Sequence, residues 1–482
     1  MFLIQHPKFE FVKMPDFTKI FEYISENEYP FITRLAEAVA IPSVSGESER
    51  REDVVKMGTW LSEQLTKAGA TDVELKPLGK EDNGLDLPPV VVGRWGTDEK
   101  KKTVLIYGHY DVQPAQRSDG WWSKPFKLAI DGDRLIGRGS TDDKGPFCGW
   151  LNVLDAHREA GVEIPVNLVF CFEGMEESGS IGLDDLIKRE ADGYFKGVDA
   201  VCISDNYWLG TKYPVVTYGV RGVSYYEVAV EGPKADLHSG LFGGIVYEPL
   251  TDLVHVFSQL VTPQGEILIP GLQDMVAPLT DKEDKLYDTL HFDLSELEEN
   301  VGAKTVLQDS IKKAMQARWR EPSLSLHGIE GAFAETGAKT VIPHKVIGKF
   351  SIRTVPNIEP RKLDEIVFDH VKKSFAKLNS KNKMEVSLVH DGDYWVTDPH
   401  GWSYTAAVKA TKEVYGVEPD LTREGGSIPI TLSFQNNLNA PVVLLPMGRG
   451  DDGAHSTNEK LNLTNFIKGS QTLAAYLHYL AE

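Results

Sequence analysis

The stretch EGMEESGS, residues Glu173–Ser180, directly follows the apolar run VNLVFCF at Val166–Phe172. A largely apolar run that ends at a Gly/Ser-rich segment predicts a strand buried on both faces of a parallel sheet. Glu176 and Glu177 then lie where that strand ends and a loop begins, which is the edge at which open α/β sheets bind ligands. Adjacent side chains diverge there, so the two carboxylates can serve different partners, for example a metal ion and a proton. An isolated pair of glutamates is more often a solvated turn, and the rest of the chain has to decide between the two interpretations.

Strand-like and helical segments alternate through the first part of the chain, which predicts an α/β layered domain built from βαβ units. The segments expected to form strands are Val90–Val92, Thr103–Tyr107, Val166–Phe172 and Asp199–Ser204, and those expected to form helices are Asp16–Glu28, Tyr29–Ala40, Glu49–Ala68, Pro146–Ala160 and Asp184–Ala191. Motifs that contain His109, Asp142, Glu177 and Asp205 are expected at or just past the C-terminal ends of strands. We therefore expect these four side chains to lie at a common ligand-binding edge.

The pattern changes after about Lys212 and returns to α/β character from about Trp395. The intervening segment predicts an α+β module of four antiparallel strands and two helices: strands Tyr218–Glu231, Leu324–Gly331, Lys345–Thr354 and Met384–His390, and helices Ile245–Leu260 and Arg361–Leu378. An acidic segment between Thr262 and Arg320 shows no clear periodicity. The last part predicts the helix Ser403–Tyr415, the loop Arg423–Ser427, the strand Pro441–Met447 and the helix Leu463–Leu480. The predicted organisation is therefore one α/β domain, residues 1–212 and 393–482, interrupted by an inserted α+β domain, residues 213–392.

Composition sets the broad class. The chain has 482 residues, 41% hydrophobic and 25% charged, which is typical of a soluble globular protein. The net charge of −20 argues against nucleic-acid or anionic-membrane binding through bulk charge. No window approaches the roughly 18 apolar residues of a membrane span, and the N-terminal residues do not resemble a signal peptide, although Met14 is an alternative start. Three scattered cysteines, Cys148, Cys171 and Cys202, favour reduced buried thiols, so we expect a cytoplasmic protein.

Five residues in the strand-end motifs and loops are candidate metal ligands: His109, Asp142, Glu177, Asp205 and His455. Imidazole and carboxylate without thiolate suit zinc, cobalt or manganese. Five protein ligands are too many for one catalytic tetrahedral zinc, which keeps three and an open position. They suffice for two ions roughly 3.5–4 Å apart if one carboxylate bridges them.

Five motifs, in this order, resemble the motif set of the M20 metallopeptidases: HYDVQP at His109–Pro114, GRGSTDDKG at Gly137–Gly145, EGMEESGS at Glu173–Ser180, SDN at Ser204–Asn206 and GAHS at Gly453–Ser456. The order, spacing and insertion are similar too, so the resemblance covers essentially the whole chain. It implies a dinuclear-metal peptidase domain, with a mixed sheet flanked by helices, interrupted by an α+β lid and dimerisation domain. Within the family the chain is most similar to cytosolic non-specific dipeptidases and fungal Cys-Gly metallodipeptidases.

The resemblance also implies how the ligands divide between two divalent ions, Zn²⁺ or Mn²⁺. Asp142 would bridge both ions. His109 and Asp205 would complete one site, and Glu177 and His455 would complete the other.

Further roles follow from the same resemblance. Glu176 would be the general base that takes a proton from a hydroxide-generating water between the ions and returns it to the leaving amine. Asp111 would orient the metal-bound His109. In the inserted domain, His238 would cross a homodimer interface and stabilise the oxyanion in the partner's active site.

Substrate recognition is implied at both ends of a short peptide. Arg353 matches the family arginine that receives the terminal carboxylate, a planar, bidentate task that suits Arg better than Lys. Thr340 and Ser427 resemble further donors on the carboxylate side, and Glu424 is a candidate for the substrate ammonium.

The expected function is hydrolysis of dipeptides, Cys-Gly and similar Xaa-Gly substrates, in glutathione breakdown. An alternative is an M20 carboxypeptidase or aminoacylase that acts on N-blocked substrates, and Asp rather than Glu at position 205 disfavours it within the family. A second alternative is a catalytically silent scaffold on the same fold. That alternative predicts a lost ligand or a lost base, and neither is missing from the motifs.

Overall fold

The computed structural model describes residues 17–81, 83–428 and 430–482, so the alternative start Met14 lies outside the described residues. Nine strands of the described chain form one large sheet. Eight of them follow one another in the order Thr71–Lys76, Val90–Trp95, Asn167–Glu173, Thr103–His109, Ala200–Ile203, Val442–Leu444, Val215–Val220 and Trp395–Val396, and Asp420–Glu424 pairs with Val215–Val220.

The sheet is mixed, with a parallel centre. Thr103–His109 runs parallel to Asn167–Glu173 on one side and to Ala200–Ile203 on the other. Val90–Trp95 is antiparallel to Asn167–Glu173. All seven residues of Asn167–Glu173 are buried, as its largely apolar sequence predicts for a strand covered on both faces. Because the three central strands are parallel, their carboxyl ends share one edge.

Helices surround this sheet and supply its core. Those of the same domain are Thr18–Glu26, Glu28–Val39, Arg51–Ala68, Lys144–Ala160, Leu183–Glu190, Trp402–Tyr415, Ile430–Leu438 and Leu463–Leu480. Lys144–Ala160 packs against Leu463–Leu480, and both are buried along most of their length. A small sheet made of Ala129–Asp131, Arg134–Ile136 and Lys460–Asn462 lies beside them. The predicted α/β class, a mixed sheet flanked by helices, is confirmed.

The inserted segment builds a second, antiparallel sheet of four strands in the order Ser323–Glu330, Lys345–Thr354, Gly222–Glu231 and Lys383–Gly392. Burial alternates along Gly222–Glu231, so one face packs inward and the other faces out. The inward face packs against helices Pro249–Phe257 and Pro360–Lys377, which confirms the predicted α+β module.

One predicted element is wrong. The segment Tyr218–Glu231 is not one half-exposed strand, because the chain leaves the large sheet at Arg221. Val215–Val220 is buried along its whole length and pairs within the large sheet, whereas Gly222–Glu231 begins the second one. Gly222 allows this close crossing, since a Cβ there would lie 2.5 Å from the carbonyl oxygen of Gly392. The chain therefore passes from the large sheet to the second sheet at Arg221. The predicted bounds of the two domains stay a prediction.

The acidic segment between Thr262 and Arg320 forms helices Asp281–Leu286, Leu294–Val301 and Ile311–Trp319. Its apolar side chains, among them Tyr287, Phe292 and Trp319, pack onto Trp208 and Leu209 in a cluster of their own. The segment thereby adds a wall beside the carboxyl edge of the large sheet. Throughout the described ranges, no helix combines the length and apolarity that crossing a membrane requires.

Candidate metal centre

Three candidate ligand segments leave the carboxyl ends of the three central parallel strands. His109 is the last residue of Thr103–His109. Glu176 and Glu177 form a single 3₁₀ turn just after Asn167–Glu173, and Asp205 follows Ala200–Ile203 by two residues. The shared edge expected from the sequence therefore exists for these motifs.

Two further ligand candidates reach the same place by another route. Asp142 belongs to a motif that begins directly after the strand Arg134–Ile136, as predicted, but that strand is part of the small sheet and not of the large one. Asp142 lies immediately before the helix Lys144–Ala160, in a buried loop. His455 lies in the loop that precedes Lys460–Asn462 and has a left-handed backbone, with φ of 61°. The tertiary fold alone brings these two loops to the strand ends.

The side chains form two groups, within each of which the potential ligand atoms all lie within 4.8 Å of one another: His109, Glu176 and Asp205 in the first group, and Asp142, Glu177 and His455 in the second. All five predicted metal ligands are thus brought together. Glu176, for which we predict a role away from the metals, stands in the first group with His109 and Asp205.

Asp142 lies between the two groups. Its Oδ1 is 3.0 Å from Nε2 of His109, and its Oδ2 is 3.1 Å from Nε2 of His455. His455 Nε2 is also 3.0 Å from Oε2 of Glu177, whereas His109 Nε2 is 3.7 Å from Oδ2 of Asp205. One carboxylate therefore offers a different oxygen to each group, which is the arrangement that a bridging ligand requires.

Asp111 holds His109 and the turn of Glu176 and Glu177 in place at this edge. Its Oδ1 lies 3.3 Å from Nδ1 of His109, and its own carbonyl oxygen lies 3.1 Å from the same nitrogen. Its two carboxylate oxygens also accept the backbone N–H groups of Glu176, at 3.2 Å, and Glu177, at 3.1 Å. A single buried carboxylate thus orients the imidazole and holds the turn that carries both glutamates.

Sequence reasoning missed a side chain that holds Glu177. Gln113 Nε2 donates a hydrogen bond to Oε2 of Glu177 at 2.8 Å. Gln113 belongs to the HYDVQP motif, so its position four residues after His109 was the available signal.

The charges of the site call for cations. Four carboxylates, those of Asp142, Glu176, Glu177 and Asp205, surround two histidines. Burial, together with the neighbouring carboxylates of Asp205 and Glu177, raises the pKa of Glu176 well above its ordinary value, against the opposing effect of His109. Hydrogen bonds with Asp142 and Glu177 raise the pKa of His455 to about 11. Such a surplus of buried negative charge is what divalent ions relieve, and the imidazole and carboxylate donors fit zinc or manganese.

A cavity of about 540 Å³ opens beside the two groups. Its wall includes Arg353, Glu424 and Ser427. Members of both groups also line it: Asp142, Glu176, Asp205 and His455. Arg353 Nη1 donates to Oγ of Ser427 at 2.9 Å. The predicted carboxylate-binding pair therefore faces the same space as the candidate metal centre.

The structure gives Glu424 a partner that the sequence did not reveal. Arg318 Nη2 donates to Oε1 of Glu424 at 2.5 Å, and the N–H of Gly425 donates to the same oxygen at 2.6 Å. Arg318 comes from the helix Ile311–Trp319 of the acidic segment and also lines the cavity. The guanidinium thus partly neutralises the carboxylate for which we predict ammonium binding.

Two predicted site residues lie elsewhere. His238 and Thr340 are both exposed. His238 ends the short strand Leu237–His238, Thr340 directly precedes its partner strand Val341–Ile342, and the Ser239 N–H donates to the Thr340 carbonyl. Among the described residues, the cavity wall contains neither of them. Within one chain they do not reach the site.

The proteins to which this chain is similar are peptidases and dipeptidases, among them a metallodipeptidase, in agreement with the candidate metal centre. The sequence profile of Peptidase family M20/M25/M40 matches residues 105–479. The chain is 60% identical over 467 residues to the Cys-Gly metallodipeptidase DUG1 of Candida albicans, covering 95% of this chain and 96% of that protein. It is 43% identical to the human Beta-Ala-His dipeptidase, covering 96% and 92% of the two chains.

A solved structure of the dipeptidase Dug1p from Saccharomyces cerevisiae superposes with a TM-score of 0.94 at 56% identity, covering 97% of this chain and 98% of that one. The motifs that suggested the resemblance lie within or directly beside one cavity, and the matched profile spans most of the chain. The chain therefore belongs to peptidase family M20/M25/M40.

Proposed function

We propose that this protein is a metal-dependent dipeptidase that hydrolyses Cys-Gly and similar Xaa-Gly dipeptides, as in glutathione breakdown. The observation that carries the proposal is that Asp142, with one oxygen toward each histidine, shares a cavity with Arg353 and Ser427. A candidate centre for peptide cleavage and a candidate group for a terminal carboxylate therefore line the same cavity. The greater similarity to a Cys-Gly dipeptidase than to a Beta-Ala-His dipeptidase supports this substrate class.

Five residues would hold two divalent ions, Zn²⁺ or Mn²⁺: His109, Asp142, Glu177, Asp205 and His455. When bound, the ions acidify water and polarise the peptide carbonyl. Glu176 is the general base: it removes a proton from the attacking water and later delivers it to the departing amine. The buried Asp111 holds the backbone of the turn on which Glu176 sits, so the base starts from a fixed position.

Both ends of the substrate are recognised. Arg353, with the hydroxyl of Ser427, binds the terminal carboxylate in the planar geometry that a guanidinium offers. Glu424 binds the ammonium through Oε2, because Oε1 already accepts from Arg318 and Gly425. A longer peptide moves one charge out of reach, which restricts the enzyme to short substrates.

We also propose a homodimer in which His238 of the partner subunit, beside Thr340, completes the site and stabilises the oxyanion. Its support is the exposed position of His238 next to a set of exposed apolar side chains: Leu241, Phe242, Ile245 and Tyr247. An exposed apolar patch of this kind marks an interaction surface. A cytoplasmic location is proposed from the three buried, unbridged cysteines, all within the described chain.

The test is hydrolysis of Cys-Gly by protein loaded with Zn²⁺ or Mn²⁺, compared with β-Ala-His, the tripeptide Cys-Gly-Gly and N-acetyl-Cys-Gly. We expect the free dipeptide to be cleaved fastest and the N-acetylated one to be nearly inert. Preference for the N-acetylated substrate would instead establish the carboxypeptidase or aminoacylase alternative. A folded chain that binds fewer than two ions and cleaves none of these substrates would indicate the scaffold.

A further inference from the structure

The loop that carries Asp142 is attached to the loop that carries His455 through one buried side chain, Glu459. This glutamate is fully buried and lies four residues after His455. Its Oε1 accepts the backbone N–H groups of Thr141, at 3.0 Å, and Asp142, at 3.2 Å. Its Oε2 accepts the N–H of Gly139 at 3.1 Å and Nη1 of Arg138 at 2.7 Å. In each of these four contacts an N–H group donates a hydrogen bond to the Glu459 carboxylate.

The chemistry of these contacts makes Glu459 hard to replace. A buried loop has to satisfy its own N–H groups, and here one carboxylate satisfies three of them. Hydrogen bonds to an ionised acceptor are shorter and stronger than neutral ones. The peptide N–H of Asp142 is among those held, so the backbone from which the Asp142 side chain projects cannot rotate freely.

A second contact between the two loops shows that the attachment is extensive. Asp452 lies three residues before His455. Its carboxylate accepts hydrogen bonds from the hydroxyl of Thr141, at 2.8 Å, and from Nζ of Lys460, at 2.6 Å. The loop around His455 thus binds the loop around Asp142 on both sides of the histidine. Asp142 Oδ2 and His455 Nε2, which lie 3.1 Å apart, are thus carried by two loops that these contacts join.

We propose that Glu459 is a positioning residue of the metal centre: it places Asp142 between the two ligand groups and so determines how tightly the pair of ions is bound. This inference rests on the proposed function. Within the described residues, Glu459 belongs to neither ligand group and does not line the cavity, so it acts only through the backbone of the Asp142 loop. Sequence reasoning missed it, because a glutamate in a loop has no local feature that distinguishes it from a surface residue.

The test uses Glu459→Gln, which keeps the shape of the side chain but replaces an acceptor oxygen by an amide that faces N–H donors. Loss of an outer partner of a metal ligand typically costs about 10–100-fold in metal affinity. We expect a loss of that order for Zn²⁺, measured by competition with a chelator on folded protein. The visible spectrum of the Co²⁺-loaded protein should change as well, because the ligand geometry changes.

The matched control is Glu296→Gln. Glu296 is also buried, and it also accepts a backbone N–H, that of Thr211 at 2.7 Å, but it lies in the acidic segment. The control should lose thermal stability without any change in Zn²⁺ affinity or Co²⁺ spectrum. A merely structural role for Glu459 predicts the same behaviour for Glu459→Gln.

The outcomes are distinct. If wild-type protein binds two ions and Glu459→Gln binds them equally tightly with an unchanged spectrum, the inference is wrong and the proposed function stands. A wild-type chain that binds no ion overturns both. If Glu459→Gln does not fold, Glu459→Asp decides, since it keeps the charge and withdraws the acceptor by one methylene: weaker binding supports the inference, and wild-type binding overturns it.

Discussion

The two neighbouring glutamates should fail in different ways when each is replaced by glutamine. Glu176→Gln keeps the side-chain volume, and its backbone N–H still donates to Asp111, so the turn should persist. Loss of a general base typically costs about 10²–10⁴-fold in rate. At about 1.36 kcal/mol per tenfold, that is about 2.7–5.4 kcal/mol of activation free energy. We expect kcat for Cys-Gly to fall by this factor while two ions remain bound.

Glu177→Gln should act on the metal instead. Glu177 is one of three candidate ligands in its group, and its Oε2 lies 3.0 Å from His455 Nε2. Removal of a direct ligand should cost more than the about 10–100-fold in metal affinity that loss of an outer partner costs. Activity should then recover partly when the metal concentration is raised.

The assay pairs steady-state hydrolysis of Cys-Gly with metal analysis of the same folded samples. Glu163→Gln serves as a control for the chemical change alone, because that side chain is 81% exposed and pairs with Lys101. Equal loss of metal in Glu176→Gln and Glu177→Gln would refute the division of roles and make Glu176 a ligand. Near-normal turnover of metal-loaded Glu176→Gln would refute it as the base.

Three further predictions concern the substrate, the interface and pH. Arg353→Lys should lower kcat/KM for Cys-Gly about 10- to 150-fold, since one charged hydrogen bond is worth about 1.5–3 kcal/mol, and the Cys-Gly amide should show no such difference between variant and wild type. Mixtures of inactive His238→Ala and Glu176→Gln chains should regain activity if the site is shared, and no regain on mixing would refute the shared site. Burial and the nearby His157 lower the pKa of His478 to about 4, below its value of about 6.5 in the unfolded chain. The unfolded state therefore binds more protons between these values, so stability should fall as pH drops from 6.5 toward 4. His478→Leu should lose less Tm than wild type between pH 7 and pH 5, and an equal loss would contradict this assignment.

Local sequence was sufficient to predict most elements and to single out the candidate ligands. The run Val166–Phe172 is apolar except for Asn167, which is typical of a short strand covered on both faces, so both strand and burial could be predicted. Because parallel strands end at one edge, the positions of His109, Glu177 and Asp205 followed from the positions of their strands. The prediction failed for Tyr218–Glu231, because the apolar strand Val215–Val220 and the alternating strand Gly222–Glu231 adjoin with only Arg221 between them. Which sheet each run joins depends on its partners across space.

Tertiary structure alone decided how the ligands face one another. Asp142 and His455 lie on loops distant in the sequence, and no local periodicity relates the two. Glu459 joins their two loops through the N–H of Asp142, and Arg318 pairs with Glu424; each contact joins residues far apart in the chain. Residue type and spacing encode secondary structure because those preferences act over a few neighbouring residues. The contacts that orient a site form only when distant segments pack, so they are properties of the folded chain.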